Sequence, residues 1–274
     1  MAEKTMRPLT ELTAEELQTL SVVFCDIDDT ITTDGRLSAS AYQALERLQE
    51  AEIRVVPVTG RPAGWCDLIA RLWPVDAVVG ENGAFYFRYD RQQKKMVTRF
   101  VQDEAERRQN RARLEAIREE VLSSVEGAGI ASDQPYRVSD LAIDFCEDVA
   151  PLSEDEVATI VAIFEKHGAN AKVSSIHVNG WFGDFDKLSM TRTLAREWLD
   201  VDLSRDQSAC LFVGDSPNDA PMFGFFENSV GVANVHRFRT RISTLPGFVT
   251  ERESGDGFVE LCGHLLAQLE SSDS

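Results

Sequence analysis

The sequence predicts an α/β fold, in which a parallel β-sheet core covered by helices is interrupted by an inserted α+β domain. Three observations indicate this fold. Strand-like apolar segments alternate with helical patterns near both ends of the chain, these segments are apolar on both faces, and the middle of the chain has paired strands instead. We therefore predict that residues 1–83 and 187–274 form the core and that residues 84–186 form the insertion.

The first half of the predicted core contains three strands separated by two helices. The strands are the apolar segments 21–28, 53–58 and 75–79. Between them, residues 37–52 and 63–73 carry apolar side chains at helical spacing. The proline near the end of the second segment is tolerated there because it lies close to the strand terminus.

The insertion has a different order of elements. A β-hairpin is predicted at 84–100 and a long charged helix at 103–126. A strand at 140–146, a helix at 153–167 and two strands at 171–177 and 178–186 follow. This order is typical of an α+β unit rather than of a continued parallel sheet.

After residue 187 the first pattern returns. A helix at 187–199 precedes a strand at 209–213, and a further helix begins at 218. A short strand at 229–232 and a terminal helix at 257–269 complete the predicted core.

The composition is that of a folded protein with a strong acidic excess. Of the 274 residues, 43% are hydrophobic and 27% charged, and 46 acids against 28 bases give a net charge of −18. Such a field repels nucleic-acid phosphates and anionic lipids, so neither nucleic acid nor a membrane is expected as a partner. A small anionic substrate would need local positive charge from a metal or from a few basic side chains.

No targeting or cross-linking feature is evident. No apolar run approaches the ~18 residues that span a bilayer, and the N-terminus lacks the apolar stretch of a secretory signal, so a cytoplasmic protein is expected. The five cysteines are odd in number and widely spaced, which argues against a disulfide framework and a zinc site. Nothing in the sequence distinguishes a monomer from a dimer.

The first acidic motif, Asp26-Ile27-Asp28-Asp29-Thr30, ends the first predicted strand. Side chains two apart in a strand point to the same side, so Asp26 and Asp28 are expected together where open α/β sheets bind ligands. Adjacent carboxylates repel each other, so a shared proton or a cation is expected between them. The alternative is an Asp-rich turn that caps the next helix.

A second acidic motif, GDSPND at residues 214–219, follows the strand at 209–213. Asp215 leaves the strand end, and Asp219 lies near a helix N-terminus, where the helix dipole stabilises anions. A capped turn is again the alternative. If both motifs lie at neighbouring strand ends, four carboxylates converge without histidine or cysteine, which predicts Mg²⁺ as the cofactor.

Two further features would supply phosphate contacts. Val58-Thr59-Gly60-Arg61 ends another strand, and a threonine hydroxyl with backbone N–H groups before a helix forms a phosphate cradle. A simple helix cap with Arg61 on the surface is equally compatible. Lys187 begins the helix that re-enters the core and would bring a cation to this site, whereas a lone lysine would be solvated.

Taken in order, Asp-x-Asp-x-Thr, a threonine after an apolar strand, a lysine and Gly-Asp-x-x-Asn-Asp are similar to the motifs of the haloacid dehalogenase superfamily. Glu81-Asn82-Gly83-Ala84 and the position of the insertion resemble class IIB members, which include Cof-type sugar phosphatases and the sucrose-phosphate and mannosyl-3-phosphoglycerate phosphatases. The resemblance implies a Rossmann-like core with an α+β cap that closes over the site and selects the substrate. Many class IIB members have glycine after the motif lysine, where this chain has Leu188.

The resemblance also implies an activity, namely a Mg²⁺-dependent phosphatase acting on a small phosphorylated metabolite, either a sugar phosphate or a glycosyl-phosphoglycerate. Asp26 would be the nucleophile that forms an aspartyl-phosphate, and Asp28 would protonate the leaving oxygen and then activate water. The transferring phosphoryl group would be held by Lys187, Thr59, Gly60 and Asn218.

The same resemblance assigns the metal site. Mg²⁺ would be bound by the Asp26 carboxylate, the Asp28 backbone carbonyl and Asp215. Asp219 would lie behind them and orient Lys187 and the metal ligands.

Candidates for substrate contact are Arg61, Asn82, Asn179 and Trp181. Trp181 would stack on a sugar ring and Asn179 would bond its hydroxyls, but Trp181 as part of the cap core and His177 as a surface residue are equally compatible with the pattern. Arg137 is a candidate for a second anionic group of the substrate.

Two other functions use similar residues. A phosphotransferase or phosphomutase would pass the phosphoryl group to another sugar from the same site. A phospho-accepting signalling module also combines acids, a threonine and a lysine around Mg²⁺, but in receiver domains the lysine comes last, whereas here GDSPND follows Lys187.

Overall fold

The computed structural model describes residues 6–272. Its strands are β1 (Arg7–Pro8), β2 (Val22–Cys25), β3 (Arg54–Pro57), β4 (Val78–Gly80), β5 (Phe85–Asp90), β6 (Lys95–Phe100), β7 (Gly129–Ile130), β8 (Asp140–Asp144), β9 (Asn170–Val173), β10 (His177–Trp181), β11 (Cys210–Gly214), β12 (Asn228–Gly231) and β13 (Phe248–Val249). Its α-helices are α1 (Ala14–Leu17), α2 (Ala39–Glu50), α3 (Ala63–Leu72), α4 (Glu104–Ser124), α5 (Glu154–Lys166), α6 (Lys187–Leu194), α7 (Ala220–Phe225) and α8 (Ser254–Ser272).

The core is a parallel sheet, as predicted. Its strand order is β1-β13-β12-β11-β2-β3, and each neighbouring pair is parallel. The two short outer strands β1 and β13 were not predicted, because two residues carry no periodic signal. No helix in the described part of the chain is both long and apolar enough to cross a bilayer.

Both faces of this sheet are buried. On β2, Val23 and Cys25 belong to one apolar cluster, whereas Val22 and Phe24 belong to a second cluster on the opposite face. This two-sided burial explains why the strands are continuous apolar runs, and it places helices on both faces.

The hairpin of β5 and β6 packs on the core. It extends β4, and β4 in turn meets the end of β3 through a parallel bridge between Val58 and Val79. The aromatic rings of Phe85 and Phe87 belong to a core apolar cluster. The boundary at residue 84 stays a prediction, and we propose that the inserted domain starts near Asp103, the N-cap of α4.

The inserted domain has its own sheet and its own apolar core. The sheet has the order β7-β8-β10-β9 with antiparallel pairs, and α4 and α5 pack on it. Leu114, Ile117 and Val121 form the buried stripe of α4, while Leu122 is exposed. The apolar contacts of the domain are therefore largely internal.

Candidate active site

The parallel sheet brings three of the predicted motifs to one edge. The N–H of Asp26 donates to the carbonyl of Val213 in β11, and the N–H of Val58 donates to that of Cys25 in β2. The residues that follow β11, β2 and β3 therefore lie side by side at the carboxyl ends of the strands, the usual ligand site of such sheets.

Three carboxylates and one ammonium group form the centre of the site. Lys187 Nζ donates to Asp26 Oδ1 at 2.6 Å and to Asp219 Oδ1 at 2.8 Å. Oxygen atoms of Asp26, Asp215 and Asp219 lie within 4.8 Å of one another, and all three residues are buried. Residues separated by nearly two hundred positions thus meet as predicted.

The electrostatics of this cluster favour a cation. Burial raises the pKa of Asp26 to about 8, and the Lys187 ammonium only partly opposes the rise. Burial, Asp219 and Asp26 likewise raise the pKa of Asp215. Burial alone would lower the pKa of Lys187, but Asp219 and Asp26 raise it overall. Three carboxylates against one ammonium leave excess negative charge, and an all-oxygen donor set fits Mg²⁺.

The cluster is held by further hydrogen bonds. Asp219 Oδ2 accepts from the N–H groups of Asp215 and Ser216, so both of its oxygens have donors. Asp215 accepts from Thr30 Oγ1 at 3.4 Å and from Asn234 Nδ2 at 3.0 Å. The sequence analysis missed Asn234, although a polar residue shortly after strand β12 is the same signal that identified the other motifs.

Asp28 departs from the prediction. β2 ends at Cys25, so Asp26 and Asp28 both follow the strand instead of sharing one of its faces. The three-carboxylate group does not include Asp28. Its two oxygens instead accept from Arg61 Nε at 2.9 and 3.1 Å. The convergence is of three carboxylates rather than four, because Arg61 turns the fourth toward itself.

The predicted phosphate-binding residues line or border a small cavity in front of Asp26. Thr59 is fully buried, and its Oγ1 accepts from the N–H of Arg61 at 3.0 Å. Gly60 and Asn218 line the cavity together with Asp26. Asn218 Oδ1 accepts from the Ser216 hydroxyl at 2.8 Å, which leaves its amide N–H groups as donors.

Asn82 has an unpaired donor near this cavity. It is 4% exposed with φ of 54°, and its Nδ2 has no hydrogen-bond partner in the described chain. A Cβ atom on Gly60 would lie only 3.2 Å from Nδ2, so the glycine allows this close approach. Leaving a buried amide donor unpaired costs about 1–3 kcal/mol, which favours a ligand acceptor beside it.

The remaining candidates for substrate contact differ in their surroundings. Asn179 lines the cavity and donates to Asp140 Oδ2 at 2.9 Å. Trp181 is 2% exposed, stacks on Phe185 and donates its indole N–H to the Phe185 carbonyl. Packing therefore accounts for Trp181, in place of the predicted stacking on a sugar. His177 is also buried, contrary to its interpretation as a surface residue.

Comparison with known proteins shows a family similarity for the first part of the chain. The family model of haloacid dehalogenase-like hydrolases matches residues 23–121, which include Asp26, Asp28 and Thr59. This part of the chain is therefore similar to the haloacid dehalogenase-like hydrolases. No curated protein matches the chain.

Solved structures share the fold over about nine-tenths of the chain. The Thermoplasma acidophilum protein 0175 has 17% identity and a TM-score of 0.69, with 90% of this chain and 99% of that chain covered. A haloacid dehalogenase-like hydrolase from Bacteroides thetaiotaomicron has 16% identity and a TM-score of 0.61 over 90% and 99%. The sucrose-phosphatase from Synechocystis has 16% identity and a TM-score of 0.60 over 89% and 97%.

The inserted domain, here called the cap, is held against the core through Arg61. Besides Asp28, the Arg61 guanidinium donates to Asp133 at 3.3 Å and to Glu147 at 3.1 Å, and both acids belong to the cap. Glu147 also lies 2.8 Å from His177 Nε2. The sequence analysis missed both acids, because nothing in their local pattern indicates an interdomain partner.

A second group of contacts reinforces the closed arrangement. Arg137 of the cap donates to the Gly60 carbonyl at 2.8 Å and pairs with Asp133 and Asp140. Glu81 of the core accepts from the N–H groups of Val138 and Ser139 in the cap. Arg137 is therefore occupied by two acids, which leaves little positive charge for a second anionic group of a substrate.

The cap leaves little space above Asp26 and Asp28. The cavity lined by Asp26, Gly60 and Asn218 has a volume of about 20 Å³. A single water needs about 10–15 Å³ by the same kind of measure. The cap is therefore closed over the site in this structure, and a substrate needs either cap movement or a neighbouring space.

Proposed function

We propose that the protein is a Mg²⁺-dependent phosphomonoester hydrolase that acts on a small phosphorylated metabolite. One observation carries this proposal: Lys187 Nζ pairs with both Asp26 and Asp219, and Asp215 lies beside them within the buried carboxylate group. A nucleophile, a cation that faces it and a site for a hard metal are thereby combined at one point.

The reaction would proceed in two displacements. An Asp26 oxygen attacks phosphorus while the bond to the leaving oxygen breaks and Asp28 gives that oxygen a proton. Asp28 then takes a proton from water, and this water attacks phosphorus and releases phosphate from Asp26. Lys187 neutralises charge on the phosphoryl oxygens, while Asn218 in the cavity wall and Thr59 at the neighbouring strand end supply hydrogen bonds.

The acidic residues fit Mg²⁺ as the cofactor. The carboxylates of Asp26 and Asp215 and the backbone carbonyl of Asp28 would hold it, with Asp219 kept behind them by Lys187. When bound, the ion neutralises charge on the attacking carboxylate and on the phosphoryl group. A nearby cation also favours the ionised form of Asp26, which nucleophilic attack requires.

The substrate that we propose is a sugar phosphate or a glycosyl-phosphoglycerate. Two structural neighbours support the first class by name: a trehalose-6-phosphate phosphatase related protein with 15% identity, and the sucrose-phosphatase solved with sucrose and phosphate. The acids around Arg137 disfavour the carboxylate of a phosphoglycerate, so we rank the sugar phosphate first.

The test is phosphate release. Purified protein with Mg²⁺ is assayed on 4-nitrophenyl phosphate and on a panel of sugar phosphates, and we expect released phosphate to equal the alcohol formed. Isomerised sugar on addition of a bisphosphate activator would instead indicate a phosphomutase. A stable phosphoprotein after acetyl phosphate treatment, with no turnover, would indicate a phospho-accepting module.

A further inference from the structure

An aromatic groove lies beside the proposed active site. It has a volume of about 430 Å³. Its apolar walls, here called the aromatic groove, are formed by Leu37, Trp65, Leu68, Ile69, Trp73 and Tyr136. Three of these side chains face solvent: Trp65 is 40% exposed, Leu68 52% and Tyr136 59%. Such a cluster on an otherwise acidic protein marks a binding surface.

Both domains build this groove. Trp65 and Leu68 lie on α3 of the core, whereas Tyr136 comes from the cap. A Cβ atom on Gly64 would lie 2.9 Å from Cβ of Tyr136, so the glycine lets the tyrosine lie directly against the helix. The groove is therefore complete when the cap is closed.

The groove meets the catalytic cavity at Asp28. Asp28 lines both spaces, and its carboxylate is paired with Arg61. The Arg61 guanidinium lies over the Trp65 ring, 4.4 Å from its centroid. The proposed acid thus stands between the phosphoryl position and the aromatic walls.

We infer that the aromatic groove binds the leaving group of the substrate and selects an uncharged ring. This inference rests on the proposed function, because an acid must touch the leaving oxygen and the leaving group must then extend beyond Asp28. The cavity under the cap has room for about one water, whereas the groove falls within the roughly 300–1,000 Å³ of small-molecule sites. Aromatic walls bind the flat face of a ring, whether of a sugar or of an aryl group.

The charge of the groove excludes other leaving groups. Asp28 is its one acid, and the nearest cation, Arg61, is already paired with Asp28, Asp133 and Glu147. No lysine or arginine is among the described residues that line the groove, so an uncharged ring is a better complement to its apolar walls than a carboxylate or a second phosphate.

The test compares two leucines of α3. Leu68→Gln alters the groove, whereas Leu72→Gln changes a residue that is 64% exposed and is not part of the groove. KM is measured with glucose 6-phosphate, with 1-naphthyl phosphate and with acetyl phosphate, which has no ring. We expect Leu68→Gln to raise KM about fivefold for at least one ring substrate and to leave acetyl phosphate unchanged, with no effect of Leu72→Gln.

The three substrates distinguish a sugar ring from an aryl ring. They also distinguish failure of the groove inference from failure of the proposed phosphatase function. A change confined to glucose 6-phosphate assigns a sugar, and one confined to 1-naphthyl phosphate assigns an aryl group. Equal KM changes for all three substrates, or for both leucine variants, would overturn the inference while the phosphatase function stands.

A binding measurement tests the groove even if the protein hydrolyses none of these substrates. Binding of benzylphosphonate and of methylphosphonate is measured by calorimetry in the presence of Mg²⁺. We expect Leu68→Gln to raise the Kd of benzylphosphonate about fivefold and to leave the Kd of methylphosphonate unchanged. Equal Kd values for wild type and Leu68→Gln would overturn the groove as a ring site.

Discussion

The neighbouring acids Asp26 and Asp28 differ because of their partners. Asp26 is buried beside Lys187, in the group that also contains Asp215 and Asp219. Asp28 is partly exposed, with 21% of its side chain accessible, and pairs with Arg61 at the edge of the aromatic groove. Separate surroundings of this kind suit separate roles, one as nucleophile and one as acid and base.

Asp26→Asn is expected to lower turnover of 4-nitrophenyl phosphate by at least about a thousandfold, because an amide cannot attack phosphorus. The substitution keeps the size of the side chain, so circular dichroism should stay unchanged. Asp34→Asn, a change of an exposed acid in the following loop, is the matched control and should retain activity. Activity of Asp26→Asn near that of wild type would refute the assignment of the nucleophile.

Mg²⁺ is expected to stabilise the folded protein as well as to support its phosphatase activity. Buried carboxylates repel one another without a counter-ion, so saturating Mg²⁺ should raise the Tm by about 5 °C, and EDTA should abolish both this shift and the activity. Asp215→Asn should lose most of the shift, while Asp34→Asn keeps it. The carboxylate site is contradicted if wild type and Asp215→Asn respond equally to the ion, as followed by differential scanning fluorimetry.

At the scale of elements, the cap is fastened to the turn between β3 and α3. Arg61 in that turn contacts Asp133 and Glu147 of the cap, and the carbonyl of Gly60 accepts from Arg137. The turn therefore serves both the phosphoryl position, through Thr59, and the closure of the cap. Opening the cap breaks ion pairs close to the catalytic acids.

Because of Glu147, the stability that the contacts between cap and core provide is expected to depend on pH. The hydrogen bond of Glu147 to His177 and the charge of Arg61 lower its pKa to about 2, from 4.5 for a free side chain. A depressed acid pKa contributes stability that is full above about pH 4.5 and is lost as the pH falls toward 2. In urea unfolding, Glu147→Gln should therefore be less stable than wild type at pH 6, by less than about 1 kcal/mol because solvent reaches the Glu147 side chain, which is 28% exposed.

The same difference should shrink at pH 3.5, because the Glu147 carboxyl takes up a proton in the unfolded wild type while it stays ionised in the folded protein. Glu126→Gln, which changes an exposed acid of the cap, should match wild type at both pH values. A difference for Glu147→Gln that is constant or grows on acidification would exclude this role for Glu147.

At the scale of the whole molecule, the net charge of −18 opposes the approach of a phosphate ester. The local positive charge at Lys187 acts over a short range, whereas the repulsion extends over a Debye length, about 10 Å at 0.1 M salt and about 30 Å at 0.01 M. Capture of an anionic substrate therefore depends on screening.

We expect kcat/KM for acetyl phosphate to rise about twofold to fivefold when the ionic strength increases from about 10 to 150 mM, with kcat unchanged. Mg²⁺ is kept saturating throughout, and sodium chloride and tetramethylammonium chloride should give the same result. A fall in kcat/KM with salt would mean that local attraction outweighs the overall field.

The centre of the site was predictable from the sequence alone. Apolar segments followed by Asp26, Thr59 and Asp215 indicate strand ends, and parallel strands place their carboxyl ends at one edge whatever the rest of the chain does. Lys187 was predicted from its position at the start of the returning helix, and it does pair with Asp26. Each of these inferences rests on the periodicity of strands and helices, which is local.

The features of the site that the sequence did not predict depend on packing between distant segments. Arg61 draws Asp28 away from the other carboxylates, Trp181 is buried in the apolar cluster of the core, and the hairpin of β5 and β6 packs on the core instead of the cap. The aromatic groove forms where Tyr136 of the cap meets α3 of the core. Such contacts depend on side-chain direction and on the fit of one domain to another, which arise from the folded arrangement of the whole chain and not from the spacing of residues along it.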